Sequence, residues 1–286
     1  MAAAEKFAAQ AITFKTPEAW RSSAPRIVVI GAGGNGSEVV DCLAQFHHAM
    51  VSLGHQHGLH VTIIDDSVVR EANLVRQRFW PCDLDQFKAV CLANRYNLML
   101  GMGWEGLPFR FPSPQTTAAI SKADLIISAV DLPSARVAIG ACQSVKQNCM
   151  WLDLGNAHRH GQVVFGGISA AMRKTYPNVL DAYPEIPSLE DDHTKSCSAA
   201  DAIRTQDCLV NRSVTTAGMG IVWELLRYGQ TEKHWLVLNL ASGEQMTIRS
   251  RSRSPNVEPS KQCELVPSHR EALNCHLSTK LGWLSR

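Results

Sequence analysis

A run of β-branched residues followed by closely spaced glycines places the strongest constraint on the fold of this chain. Residues 27–30 are all β-branched, which is typical of a parallel strand covered on both faces. Gly31, Gly33 and Gly36 follow as G-x-G-x-x-G, and residues without a Cβ let the backbone turn tightly and a phosphate approach it. Apolar spacing then predicts a helix over residues 37–46, whose N-terminus attracts anions. The segment predicts a nucleotide-binding turn, with a tight turn lacking a ligand as the alternative.

Further apolar runs complete an α/β pattern. Strands are predicted at residues 60–64, 109–112, 123–130, 149–154 and 161–168. Helices are predicted at residues 134–146, 204–228 and 83–94, the last with Phe87, Val90 and Cys91 facing inward. Residues 234–240 and 245–248 flank a turn that contains Gly243 and predict a hairpin. We therefore expect a Rossmann-like, doubly wound α/β fold with a mostly parallel sheet and a C-terminal antiparallel hairpin.

Three segments lack such a pattern. Residues 1–24 are interpreted as an N-terminal leader, in which residues 13–14 could add an edge strand. Residues 174–196, rich in proline and acidic residues, are expected to form an exposed, mobile loop. Residues 251–286 are interpreted as a polar C-terminal tail.

Composition argues against several classes of protein. The net charge of +2 gives no indication of nucleic-acid binding. No apolar run approaches the ~20 residues that a membrane span requires, and the first residues lack a signal-peptide pattern. The nine cysteines include no C-x-x-C pair, which favours reduced thiols and therefore a cytoplasmic protein.

Residues 47–60 contain five histidines in a predicted connector. A metal site is one interpretation. The other is a set of neutral surface rings on a loop insertion, which the lack of a carboxylate or cysteine at ligand spacing favours.

Polar residues concentrate after the second predicted strand. Asp65 ends that strand, where a doubly wound fold places its ribose contact. Asn73, Arg76 and Gln77 follow in a loop, and Lys88 lies in the next predicted helix. The two cations would balance phosphate charge, and the amides would add neutral donors. Asp65 as a turn cap, and Arg76 and Lys88 as surface charges, remain the alternatives. Arg78 is interpreted equally as a surface charge or as a residue that binds phosphate.

The order of these motifs resembles the ThiF/MoeB/ubiquitin-activating-enzyme superfamily over residues 26–228. The shared pattern is G-x-G-G-x-G, an acidic strand end, N-L-x-R-Q, a lysine, and an aspartate after a later strand, here Asp131. The segment S-C-S-A-A around Cys197 is similar to the one that carries the family's acceptor cysteine. With its histidine-rich insertion and hairpin, the chain is most similar to the ThiF-like proteins of PRTRC plasmid systems.

The resemblance implies a ThiF-like adenylation domain over residues 25–250. It implies an ATP- and Mg²⁺-dependent adenylyltransferase that activates the C-terminal carboxylate of a small ubiquitin-like or sulfur-carrier protein and acts as a homodimer. Catalytic roles would fall to Arg76, Lys88 and Cys197, and Asp131 would hold Mg²⁺. The implied nucleotide-binding residues are Gly31, Gly33, Gly34, Gly36, Asp65, Asn73, Arg76, Gln77, Lys88, Asp131 and Leu132.

The chain also departs from the family. It lacks the two C-x-x-C pairs with which many relatives bind zinc, so no structural zinc is predicted. Ser67 stands where a second acidic residue is usual, and Arg21 is the one candidate for the arginine that a partner subunit supplies in the family.

Other interpretations stay open. An NAD(P)-dependent oxidoreductase would use the glycine turn and Asp65, but it would leave Lys88 and the 73–77 loop without a role. A non-catalytic scaffold that binds a nucleotide or a carrier would need no turnover. Asp131 could belong to the N-terminal cap of the following helix. Cys197 could be an ordinary loop thiol, and Cys208, expected to be buried, is the alternative thiol.

Overall fold

The computed structural model describes residues 12–191 and 207–249. Within these ranges the main sheet has eight strands: β2 (Arg26–Ile30), β3 (His60–Ile64), β4 (Glu105–Leu107), β5 (Leu125–Ser128), β6 (Met150–Asn156), β7 (His160–Gly167), β9 (Lys233–Asn239) and β10 (Glu244–Arg249). A separate antiparallel pair joins β1 (Phe14–Lys15) to β8 (Gln230–Thr231). The predicted edge strand at residues 13–14 therefore exists, displaced by one residue.

The strand order of the main sheet is β10-β9-β7-β6-β5-β2-β3-β4. The pairs from β6 to β4 are parallel, and those from β6 to β10 are antiparallel. This confirms the predicted Rossmann-like fold with its C-terminal hairpin. Because parallel strands end at the same edge of a sheet, the segments that follow β2, β3, β5 and β6 lie side by side.

Helices cover both faces of the sheet. They are α1 (Ala19–Ser22), α2 (Gly34–Ser52), α3 (Lys88–Leu100), α4 (Pro114–Ile120), α5 (Pro133–Gly140), α6 (Ala170–Thr175), α7 (Val179–Ala182) and α8 (Val210–Tyr228). On β2, Ile27 and Val29 pack in one core with α2, α3 and α8, whereas Val28 and Ile30 pack in a second core with α4 and α5. No helix in the described ranges combines the length and the apolarity needed to cross a bilayer.

The structure corrects several predicted boundaries. The helix predicted at residues 37–46 is α2, which extends to Ser52 and takes in His47 and His48; Gly54, with φ +94°, follows its end. The strand predicted at residues 109–112 is wrong: the edge strand is β4, because the prolines at 108 and 112 remove backbone donors. The helix predicted at residues 134–146 ends at Gly140. Phe87 is the N-cap residue of α3 and its side chain is exposed, so it does not face inward as predicted.

The prediction of a mobile loop at residues 174–196 is also wrong for residues 174–191. Residues 192–196 lie outside the described ranges. Residues 174–191 contain the end of α6, all of α7 and the 3₁₀ helix Ile186–Ser188. Asn178 caps α7 by accepting a hydrogen bond from the backbone N–H of Leu180 at 3.0 Å. Val179 and Ile186 are buried. The prolines and acidic residues suggested exposure, but these apolar side chains anchor the segment.

Candidate functional site

The carboxyl edge of the parallel strands brings the predicted residues together. The glycine turn follows β2, Asp65 follows β3, Asp131 follows β5, and Asn156 ends β6. The loop after β3 lies against the first turn of α2, because the backbone N–H of Arg78 donates to Ser37 Oγ at 3.0 Å. This edge is the usual ligand site of a doubly wound sheet.

Different structural features explain why glycine stands at each position of the turn. Gly31 has φ +92°, and a Cβ there would lie 2.5 Å from the carbonyl oxygen of Ala129. A Cβ at Gly36 would collide with the carbonyl of Gly31. At Gly33, the N-cap of α2, a Cβ would meet no atom within 4 Å. Gly31 and Gly36 therefore hold the turn together, while the space beside Gly33 is open to an anion at the helix N-terminus.

Asp65 is bound by backbone on both carboxylate oxygens. Its Oδ2 accepts from the N–H of Ala32 at 2.6 Å, and its Oδ1 accepts from the N–H of Ser67 at 2.7 Å. The turn-capping role left open by the sequence is thus present. Each oxygen has a further lone pair, so a ribose hydroxyl can share the same carboxylate.

Hydrogen bonds to its own neighbouring residues fix the conformation of the 73–77 loop. Asn73 Oδ1 accepts from the N–H of Arg70 at 2.9 Å, which orients its Nδ2 as the available donor. The N–H of Gln77 donates to the carbonyl of Asn73 at 3.0 Å. Gln77 Oε1 is enclosed and has no hydrogen-bond partner among the described residues. Such a buried acceptor is usually satisfied by a water or a ligand.

Arg76 is partly buried and lies within electrostatic reach of Asp131. Burial lowers the pKa of the Arg76 guanidinium from its ordinary value, and the negative charge of Asp131 opposes this effect. The group remains charged because an arginine pKa is far above neutrality. A cation withdrawn from water and a carboxylate that can carry a metal therefore meet at this edge.

Lys88 begins α3 and is 8% exposed. Its backbone N–H donates to the carbonyl of Ser67 at 2.9 Å, so it adjoins the turn capped by Asp65. A helix N-terminus carries partial positive charge and disfavours a cation. A buried ammonium at this position is therefore suited to an anionic ligand.

Arg78 belongs to a network on α2. Its Nη2 lies 2.9 Å from Glu38 Oε2 and 3.2 Å from Asp41 Oδ2. Burial acts to lower the pKa of Arg78, but the hydrogen bond to Glu38 and the charge of Asp41 outweigh it and raise the pKa. Arg78 fixes the loop to α2. The signal in the sequence is the acidic pair Glu38 and Asp41, three residues apart on one helix face.

Asp131 is exposed, and Leu132 is the N-cap of α5. The first turn of α5 is capped by Asp191, whose Oδ1 accepts from the backbone N–H of Ser134 at 3.0 Å. Within residues 12–191 and 207–249, no three His, Cys, Asp or Glu side chains gather as a metal site. Mg²⁺ needs only one or two carboxylates when phosphate oxygens supply the other ligands. Asp131, in reach of Arg76, fits that role.

A buried network that the sequence analysis missed joins the end of β5 to the middle of β6. Asp153 is 1% exposed and accepts from Arg136 Nε at 3.0 Å on both oxygens. Ser128 Oγ donates to Asp153 Oδ1 at 2.5 Å and accepts from Trp151 Nε1 at 2.7 Å. The network ties α5 to the sheet just after Asp131. Its members are spread over 26 positions and show no local pattern.

In the histidine-rich connector, two histidine side chains form hydrogen bonds with backbone groups. His55 Nδ1 accepts from the N–H of Gly58 at 3.0 Å while its Nε2 lies 2.9 Å from the carbonyl of Trp20. His47 Nδ1 accepts from the N–H of Leu59 at 3.0 Å. These contacts engage ring nitrogens of His47 and His55 with backbone groups, which favours a structural role for these two rings over a metal site.

A cavity of about 500 Å³ lies at the opposite edge of the sheet. Its lining includes Arg26, His60 and Asp124, which stand at or just before the starts of parallel strands. The carboxylate of Asp124 in this lining is already paired, since it accepts from the N–H of Arg26 at 2.8 Å and from Lys146 Nζ at 2.5 Å. None of the predicted site residues lines it.

Cys197 lies outside the described residues. Cys208, expected to be buried, is exposed. Burial raises the pKa of the Cys149 thiol to about 12, which makes that cysteine a poor nucleophile.

Proteins of similar sequence or fold help to interpret this site. A family model described as "ThiF family" matches residues 5–265. The comparison with curated proteins gives no significant match. Among solved structures, E. coli MccB with ATP has a TM-score of 0.53 at 15% identity, covering 82% of this chain and 65% of that one. E. coli MccB with MccA-N7isoASN has a TM-score of 0.56 at 15% identity, covering 82% and 66%.

A crystal structure of PaaA is similar, with a TM-score of 0.55 at 12% identity, covering 80% of this chain and 65% of that one. The chain therefore spans slightly less than two thirds of the length of these structures. At such identities the likeness establishes the fold alone.

Proposed function

The chain belongs to the ThiF family, and on that premise we propose that it is an ATP-dependent adenylyltransferase that activates the terminal carboxylate of a small carrier protein or peptide. The proposal is supported by two contacts at the carboxyl edge of the sheet: Arg76 lies in electrostatic reach of Asp131, and Lys88 adjoins the turn that Asp65 links to the glycine turn. Arg76 is partly buried in reach of Asp131, and Lys88 is 8% exposed beside the turn that Asp65 caps. A partly buried arginine, a buried lysine and an exposed carboxylate at the edge that holds the glycine turn suit a triphosphate with its metal.

The reaction requires positioning and charge more than acid–base chemistry. A substrate carboxylate oxygen attacks the α-phosphorus, the bond from that phosphorus to its bridging oxygen breaks, and pyrophosphate leaves. The carboxylate is already ionised at neutral pH, so no base is needed. Arg76 and Lys88 stabilise the charge that spreads over the phosphate oxygens. Bound Mg²⁺, held by Asp131, would supply further positive charge to the leaving pyrophosphate.

The neutral groups complete the site. Asn73 Nδ2 donates to phosphate oxygens, because its Oδ1 is already bound to the N–H of Arg70. Gln77 lies in the same loop and orients the nucleotide. Asp65 accepts from a ribose hydroxyl while holding the turn at Ala32.

Pyrophosphate exchange into ATP tests the proposal. The purified full chain is incubated with ATP, Mg²⁺, labelled pyrophosphate and a panel of free-carboxylate substrates: ubiquitin-like proteins from neighbouring genes and synthetic peptides. C-terminally amidated peptides are the negative control. We expect exchange with at least one carboxylate and none with its amide. Exchange that is absent across the panel would contradict the proposal.

Two arginines of the loop region form a matched pair. Arg76→Ala removes the partly buried cation, and we expect exchange to fall by about 10²–10³-fold. Arg70→Ala removes an arginine whose side chain is 69% exposed and faces Asp85, and we expect less than a twofold change. Equal activity of the two variants would remove Arg76 from the site.

The finer assignments belong to the same proposal. The carrier is ubiquitin-like or sulfur-carrying, and the Cys197 thiolate attacks the acyl carbon so that AMP leaves. The protein is cytoplasmic and a homodimer. Cys197→Ala should retain pyrophosphate exchange and lose a thiol-sensitive adduct with the carrier, whereas Cys208→Ala, a change at an exposed cysteine, should keep both. Light scattering tests the dimer.

The second candidate is an NAD(P)-dependent oxidoreductase. The glycine turn and Asp65 favour it, but it leaves Arg76 and Lys88 without a task. Titration with ATP and with NADH separates the two, since the adenylyltransferase binds ATP more tightly. A protein that binds ATP and exchanges no pyrophosphate would be a scaffold.

A further inference from the structure

The cavity at the amino-terminal edge of the sheet adjoins a second cavity. The first has a volume of about 500 Å³ and contains the charged residues Arg26, Asp124 and Lys146. The second has a volume of about 440 Å³. Pro17 and Asn148 line both, so a ligand longer than either cavity can extend across this boundary. We refer to the first as the charged cavity and to the second as the apolar cavity.

Arg26 lines the charged cavity with a guanidinium that has no protein partner. Within residues 12–191 and 207–249, the Arg26 side chain makes no hydrogen bond and no ion pair, and only its backbone N–H donates to Asp124. Asp124 is the only carboxylate among the described residues of this lining, and it also accepts from Lys146 Nζ at 2.5 Å. The acidic group is therefore occupied, while the donors of the Arg26 guanidinium remain for a ligand.

The charge of this cavity indicates the charge of the ligand. Arg26 and Lys146 are cationic and Asp124 is anionic, which leaves one net positive charge. Burial, together with the charge of Arg26, lowers the pKa of His60 from its ordinary value, so this ring is neutral near pH 7. A ligand with a single negative charge balances the lining. The planar fork of an arginine matches the two oxygens of a carboxylate.

The apolar cavity offers carbon surface. Phe14 and Tyr176 both line it and pack edge to face, with ring centroids 5.3 Å apart. The hydroxyl of Tyr176 already donates to the carbonyl of Thr13 at 3.2 Å. Met172 adds a flexible thioether, a side chain that adapts to apolar groups of different shapes. Contact with this surface favours a ligand that carries an apolar chain or ring beyond its charged end.

We infer that the two cavities form a binding site for an amphipathic carboxylate, a small molecule whose carboxylate lies on Arg26 and whose apolar part passes Pro17 and Asn148 toward Met172 and Tyr176. The site lies at the start of β2, whereas the glycine turn follows the end of the same strand. The inference therefore goes beyond the proposed function and does not depend on it.

Octanoate is a suitable probe because it combines one carboxylate with a short apolar chain. Its binding to the full chain is measured by calorimetry beside that of octylamine, which has the same chain and a positive charge, and of acetate, which lacks the chain. We expect octanoate to bind at one site with a dissociation constant below about 1 mM. Octylamine and acetate should bind at least tenfold more weakly. No binding of octanoate, or equal binding of octylamine, would overturn the inference.

Two variants test the two ends of the site. Arg26→Gln removes the free guanidinium, and Arg70→Gln, at an exposed arginine of the loop after β3, is its control. Asn148→Trp places a large ring at the boundary between the cavities. Its control is Gln147→Trp at the exposed neighbouring position, which lines neither cavity. Melting temperatures are compared so that a loss of binding is not caused by misfolding.

We expect Arg26→Gln and Asn148→Trp each to weaken octanoate at least tenfold, and each control to change its affinity by less than twofold. Unchanged affinity in Arg26→Gln would remove the carboxylate from that residue, and unchanged affinity in Asn148→Trp would show that the ligand does not cross the boundary; either result would overturn the inference. ATP should leave the octanoate affinity unchanged. Displacement of octanoate by ATP would place its binding site at the carboxyl edge of the sheet and would refute the assignment.

Discussion

The carboxylate of Asp65 accepts a hydrogen bond from the backbone N–H of Ala32 at 2.6 Å, across 33 positions of the chain. The bond joins the end of β3 to the middle of the glycine turn, and the other oxygen holds Ser67. One side chain thus fixes two loops on which the proposed nucleotide site depends.

Replacement of Asp65 should therefore affect stability as well as binding. Asp65→Ala leaves two backbone N–H groups without their acceptor, and we expect a loss of about 1–3 kcal/mol in the free energy of unfolding. Urea denaturation measures it. Asp66→Ala, at the exposed neighbouring carboxylate, should change stability by less than about 0.5 kcal/mol. If both variants unfold at the same urea concentration, the turn does not depend on Asp65.

Two glycine substitutions should separate folding from binding. Gly36→Ala forces a Cβ against the carbonyl of Gly31, and we expect about 1–3 kcal/mol or more of destabilisation. Gly33 has φ −78° and ψ −144°, and the space around its Cβ position is open. Gly33→Ala should destabilise the protein less than Gly36→Ala, because its Cβ meets no atom, and should weaken ATP at least tenfold, because the methyl group occupies the proposed phosphate position. Unchanged ATP affinity in Gly33→Ala would place the phosphates elsewhere.

The buried pair of Asp153 and Arg136 should be one of the larger single contributions to stability. Asp153→Ala leaves a guanidinium that is 12% exposed without its carboxylate, and we expect a loss of about 3–5 kcal/mol. Glu18→Ala breaks the exposed pair with Arg21 and should cost less than about 1 kcal/mol. Chemical denaturation of both variants measures the contrast. A loss in Asp153→Ala no larger than that in Glu18→Ala would show that the network is dispensable.

Because His234 resists protonation in the folded protein, the free energy of unfolding should decrease in mild acid. This ring is 6% exposed and stacks on Tyr176, and burial lowers its pKa from the ordinary 6.5. As the pH drops below 6.5 the unfolded chain takes up a proton that the folded ring resists, so the free energy of unfolding decreases. His234→Gln removes this contribution. The difference in unfolding free energy between pH 7.5 and pH 5.5 should be smaller in the variant. An equal difference would assign the acid sensitivity to other groups.

The sequence predicts best where structure follows from neighbours in the chain. The strand at residues 27–30 and the glycine turn are local patterns, and both are found. Composition alone misleads for residues 174–191, because three prolines suggest a loop while Val179 and Ile186 anchor it in the core.

The site residues divide in the same way. Motif spacing predicts Asp65, Arg76 and Lys88 as site residues, and their contacts within the protein are visible only in the fold. Arg78 falls one position outside a motif, and its partners on α2 lie about 40 residues earlier. Asn35 and Asn156 are joined by a hydrogen bond of 2.7 Å across 121 positions, and no pattern within a single segment relates them.

The cavity beside Arg26 and Asp124 matters for the discovery of inhibitors. It lies at the amino-terminal edge of the sheet, and the five residues of β2 separate it from the glycine turn by roughly 16 Å. Compounds that fill this cavity would lie outside the proposed ATP site and would not displace a nucleotide from it. A screening campaign would gain more from competition against a fluorescent nucleotide than from docking into this cavity.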